Sequence, residues 1–127
     1  PNTYEFAQLQ VVKLAEIMTK VKKSMKVKKN LGYMEITDSG ASGAVNFVLG
    51  LSGKDVGVAY KERTDYGIYA VSVRGSKTCK IHLGKLVNRL STEFGGSGGG
   101  HDKACGASIP KSKINKFVNA LNSELEK

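Results

Sequence analysis

Apolar residues recur along this chain with two alternating periods. Phe6, Leu9, Leu14, Ile17, Val21 and Met25 fall mostly at helical spacing, with no proline or glycine between them, which predicts a helix over residues 4–26. Leu31 to Thr37 reads as a strand, Asp38-Ser39-Gly40 as a turn, and Ala41 to Leu51 as a second helix closed by Ser52-Gly53. Val56 to Tyr60 and Ile68 to Arg74 read as a hairpin around Thr64-Asp65-Tyr66-Gly67. Leu83, Leu86, Val87 and Leu90 mark one face of a helix from about His82 to Glu93. A short apolar strand, Ala104 to Ile109, ends at Pro110. Ile114, Phe117, Val118, Leu121 and Leu125 then form the stripe of a last helix, with Ser112 as its expected N-cap. The predicted order is α-β-α-β-β-α-β-α. It implies an α/β (α+β) fold in which a single mixed β-sheet carries helices packed against it.

Composition narrows this picture. At 127 residues and 40% hydrophobic content, the chain reads as one domain, residues 1–127, able to bury one core. Its apolar runs are shorter than the roughly 20 residues of a membrane span, and its N-terminus does not have the pattern of a signal peptide. The two cysteines, Cys79 and Cys105, lack metal-ligand spacing and read as reduced thiols of an intracellular, cytoplasmic protein. A formal net charge of +9 favours anionic partners, nucleic acid or nucleotides first. Residues 1–30 form a leading basic helix: Lys20, Lys22, Lys23, Lys26, Lys28 and Lys29 gather at its end, where they suit the helix dipole and read first as a solvated face. The chain starts at Pro1, which reads as a fragment of a longer protein.

Candidate chemistry concentrates in one stretch. Six of the 15 glycines lie between Gly95 and Gly106, and His101 closes the densest run. Glycine is costly to order, so such a cluster inside a domain needs a reason. Here the expected reason is close backbone approach to an anion, with consecutive N–H groups converging as a nest and His101 adding a side-chain donor. Arg74, at a strand end before Gly75 and Ser76, offers a planar fork to phosphate or carboxylate, and Ser72 alternates with it on one strand face. Lys77, Lys80, Lys103 and Lys111 add diffuse positive potential. His82 reads as a structural residue at a helix start. The acidic residues are scattered and the two histidines lie far apart, so no catalytic metal site and no catalytic residue is expected within this chain.

The motif V-S-V-R-G-S at residues 71–76, followed one helix later by E-F-G-G-S-G-G-G-H-D-K-A-C-G-A at 93–107, resembles the C-terminal, DHH-associated domain of the DHH-family phosphoesterases. That superfamily includes RecJ-like exonucleases, oligoribonuclease-phosphatases and cyclic-dinucleotide phosphodiesterases. Its members share an S-x-R-S strand end, a helix, and then G-G-G-H-x-x-A-x-G. Three departures stand out. Ser97 interrupts the glycine run, Gly75 separates Arg74 from Ser76, and Cys105 takes a position usually held by alanine.

The resemblance implies that Arg74, Gly98, Gly99, Gly100 and His101, with Ser72 and Ser76 beside them, hold a substrate's phosphate and nucleotide. It further implies that hydrolysis belongs to an N-terminal catalytic domain carrying manganese in the full-length enzyme, so that the isolated chain is inactive. The expected partners are then that catalytic domain and a single-stranded oligonucleotide or nucleotide phosphate, with no membrane. An alternative reading is a stand-alone basic module that binds single-stranded nucleic acid. A third is an oligomerising domain, such as a homodimer, paired through the first helix by Phe6, Leu9 and Met25.

Overall fold

The computed structural model describes residues 3–37 and 43–126. The turn expected at 38–40 and the helix start expected at Ala41 fall outside those residues, as does the side chain of Phe6. The elements are α1 (Thr3–Ser24), β1 (Lys26–Val27), β2 (Leu31–Ile36), α2 (Ala44–Ser52), β3 (Val56–Arg63), β4 (Ile68–Gly75), α3 (Leu83–Glu93), β5 (Ser97–Gly100), β6 (Ala104–Pro110) and α4 (Ile114–Glu124). The six strands form one mixed sheet in the order β1-β2-β3-β4-β6-β5, parallel between β2 and β3 and antiparallel elsewhere. The predicted fold class and the order of the predicted elements hold, with β1 and β5 as additions.

Alternation along the strands divides the sheet into two faces. Val56, Val58 and Tyr60 of β3, Val71 and Val73 of β4, and Cys105 and Ile109 of β6 point to one face. There they meet Leu83, Leu86, Val87 and Leu90 of α3 and Phe117, Val118 and Leu121 of α4 in the main core. This is why α3 and α4 each carry a single apolar stripe. The opposite face is covered differently. Over β2 and β3, Met34 packs with Val21 of α1 and Ala44 and Val48 of α2. The approach is close: a Cβ on Gly57 would come within 2.7 Å of the Leu49 backbone nitrogen, and one on Gly32 within 2.5 Å of the Ser52 Cβ. Over β4, β6 and β5 the same face presents Ile68, Ala70, Ser72 and Arg74, then Ala104, Gly106, Ser108 and Pro110, then Ser97. Apart from Ile68 and Pro110 at the end away from Arg74, these are small residues with one arginine, and no apolar cluster of described residues forms above them.

Three local expectations are corrected. The leading basic helix does not reach residue 30: α1 ends at Ser24, Lys26 and Val27 pair with β2 as β1, and Lys28 and Lys29 lie in the connection between those strands. The glycine run does not form a free-standing nest; Ser97–Gly100 is a strand, paired residue for residue with β6. Ser112 does not cap α4: it lies in a 3-10 turn over Lys111–Lys113, and Lys113 precedes the helix without a side-chain cap. Tertiary packing of Ile114 and Phe117 anchors this helix start instead.

Candidate phosphate-binding face

The site is built around β6, which β4 and β5 flank on either side. Across these strands Ser72 lies opposite Gly106, and Gly106 opposite Gly99. One row further along, Arg74 lies opposite Ala104, whose carbonyl accepts a hydrogen bond from the His101 backbone N–H at 2.9 Å. Arg74 and His101 are thus two strand spacings apart, about 10 Å, at the same end of the sheet. The tight turn at Asp102-Lys103 is pinned there: Lys103's carbonyl accepts from Gly75 N–H, and Asp102's from Leu83 N–H, both at 2.9 Å.

Glycine is required at the end of β5. Gly99 and Gly100 have φ of 146° and 141°, a region that a side chain rarely tolerates. The strand also lies hard against α3. A Cβ on Gly84 would run into the Gly100 carbonyl, and Asn88 Nδ2 donates to the Gly98 carbonyl at 2.8 Å. The first turn of α3, with its positive dipole end, therefore sits beside the Gly100–His101 backbone. His82 performs the structural role expected of it, its Nδ1 accepting from Lys85 N–H at 3.2 Å.

Arg74 is half-buried. Its Nη1 donates to the Val73 carbonyl at 3.0 Å and the Cys105 carbonyl at 3.4 Å, which restrains a guanidinium that has further donors. Burial pushes the Cys105 thiol up to about 11, with the Arg74 charge pulling weakly the other way, so this buried sulfur is a protonated packing group.

The structure brings together Ser72, Arg74, Gly98, Gly99, Gly100 and His101. Ser76 is drawn elsewhere: its hydroxyl donates to Asp55 at 3.0 Å, and hydrogen bonds from Thr78 and then Ser76 hold the Asp55 carboxyl below the usual carboxylate range. Asp55 and Thr78 help to line a cavity of about 450 Å³ with Lys29, Lys54 and Lys80; its lining does not include Arg74 or His101. Sequence reasoning missed Ala104, Gly106 and Ser108 as the floor of the face, although alternate small residues in A-C-G-A-S are its signature. It also missed Gly84 and Asn88, which hold β5 from the side. Among the described residues, no three His, Cys, Asp or Glu side chains gather where they could hold a metal ion, and no helix is long and apolar enough to cross a membrane.

The fold and this face define a mixed α/β domain with one half of one sheet face left mostly to small residues and Arg74. Residues 28–127 match the model of the DHHA1 domain, and the chain belongs to that family. A protein of Methanocaldococcus jannaschii is 33% identical over 112 residues, which cover 79% of this chain and 23% of that protein. The fold is similar to the pGpG-specific phosphodiesterase from Vibrio cholerae, with a TM-score of 0.77 and 17% identity over 99% of this chain and 43% of that one. It is also similar to the C-Ala domain of Aquifex aeolicus alanyl-tRNA synthetase, with a TM-score of 0.62 and 13% identity, covering 82% of this chain and 99% of that domain. The chain therefore spans less than half the length of the phosphodiesterase and about a quarter of the archaeal relative.

Proposed function

We propose that this domain is the substrate-holding part of a DHH-family phosphoesterase. It grips the phosphate and nucleotide of short oligonucleotides or nucleotides, while a separate N-terminal domain carries out metal-dependent hydrolysis. The observation that carries this reading is the shared placement of Arg74 and the His101 end of β5 around one small-residue strand. The Arg74 guanidinium supplies a charge-assisted, forked contact to phosphate oxygens. His101, exposed at the hairpin, donates from the other side. The first turn of α3 adds positive potential beside the Gly100–His101 backbone, and the floor of Ala104, Gly106 and Ser108 lets a sugar-phosphate chain lie close to the sheet. Manganese, if the parent enzyme uses it, belongs to residues outside this set, and no part of the proposal depends on it.

The test is binding of short oligonucleotides, with and without a 5′ phosphate, to wild type and to Arg74→Ala. The phosphate should strengthen binding to wild type about tenfold, and Arg74→Ala should remove most of that gain, as expected for a charged hydrogen bond of about 1.5–3 kcal/mol. Equal affinity in all four combinations overturns the reading. The exposed Lys22, Lys23, Lys26 and Lys29 favour a second reading, a general single-strand binder. That module would show a steep salt dependence shared among lysines and indifference to the terminal phosphate.

A further inference from the structure

Between residues 7 and 18, α1 carries an apolar stripe that the rest of the described chain leaves uncovered. Val11 is 65% exposed, Leu14 50% and Met18 36%. Ala7, Val11, Leu14 and Met18 follow the alternating four-three spacing of a coiled-coil seam. The next positions in the same series are Val21 and Met25, which are already used within the domain, against Met34, Ala44 and Val48. One stripe thus serves two ends: its last turns are buried internally, and its first four positions face outward. Monomeric domains rarely leave such a stripe open.

We propose that a second copy of this chain covers it, through an antiparallel two-fold pairing of α1 with α1. In that register Val11 meets Leu14 of the second copy and Ala7 meets its Met18, so the same patch serves both partners. Charge selects the direction. A parallel pair would bring Lys20, Lys22 and Lys23 of both copies together, in chains of net charge +9. The antiparallel pair instead sets each lysine cluster beside the other helix's first turn, which carries Glu5 and no lysine. The flanking positions Gln8, Gln10 and Ala15 are uncharged, so the seam brings no like charges face to face. The pairing stops at Met18 because beyond it the stripe is occupied by the chain's own core.

The experiment is sedimentation equilibrium of the 127-residue chain from about 5 to 200 µM. Wild type should approach twice 13.6 kDa as concentration rises. Leu14→Glu should raise the apparent dissociation constant more than tenfold with unchanged circular dichroism. Leu9→Glu is the control: Leu9 is equally exposed at 50% but lies off the seam, so this variant should still dimerise. A wild type that stays monomeric at 200 µM overturns the proposal, as does Leu9→Glu disrupting association as strongly as Leu14→Glu.

Discussion

The two halves of the sheet belong to one continuous ladder of strands, yet they are covered differently. Both bury one face under α3 and α4. On the other face, β2 and β3 lie beneath α1 and α2, while β4, β6 and β5 carry Arg74 and small side chains, with Ile68 and Pro110 at the far end. The difference tracks residue type. Met34 and Ile36 fill the covered half, where Gly57 and Gly32 let α2 come within contact of the strand backbones. In the other half, Ser72, Ala104, Gly106 and Ser108 offer too little apolar surface to hold a helix. A face that does not attract its own chain is available to a polar ligand.

Substitutions can break or sharpen this contrast. The largest loss is expected on the face that both halves share: Phe117 is fully buried there, and Phe117→Ala should cost about 3–5 kcal/mol in denaturant unfolding. Gly57→Ala in the covered half forces a methyl against the Leu49 backbone and should cost about 1–3 kcal/mol. The buried Cys105 thiol gives a pH signature. Its folded value, raised to about 11, lies above an unfolded value near 9, so its contribution is intact below about pH 9 and is lost as pH rises through 11. Wild type should therefore lose up to about 2 kcal/mol more over that window than Cys105→Ala, measured by urea unfolding at each pH. The smallest effect on stability belongs to the open half. A Cβ on Gly106 meets only the Val71 carbonyl oxygen at 3.0 Å, so Gly106→Ala should cost less than about 1 kcal/mol. It should nevertheless weaken oligonucleotide binding, because the methyl rises into the face. If Gly57→Ala and Gly106→Ala proved equally destabilising, the two halves would not differ as described.

Much of this was legible in the sequence. Helical and alternating periods located the four helices and the strands β2, β3, β4 and β6, because those elements bury apolar stripes. Period is silent where side chains are absent: Ser97–Gly100 carries no apolar pattern, so its strand character shows only through its pairing with β6 and the approach of α3 through Gly84. Lys26–Val27 is too short to leave a periodic signal. Arg74 and His101 could be singled out by residue type and motif, but their relation across β6 follows from strand order, which separates β4 from β5 by a strand that comes later in the chain. Ser76 sat within the same motif and was diverted by Asp55, twenty-one positions upstream, a partnership that sequence spacing does not reveal.

The central claim is that the open half of the sheet, and not the lysine-rich end of α1, receives the substrate phosphate. Amide chemical-shift mapping tests it most directly, by titrating the chain with a short 5′-phosphorylated oligonucleotide. The account predicts that the largest shifts fall on Ser72, Arg74, Gly98 to His101, Ala104 and Gly106, and that Arg74→Ala abolishes them. Largest shifts over Lys20 to Lys29, unchanged in that variant, would contradict it.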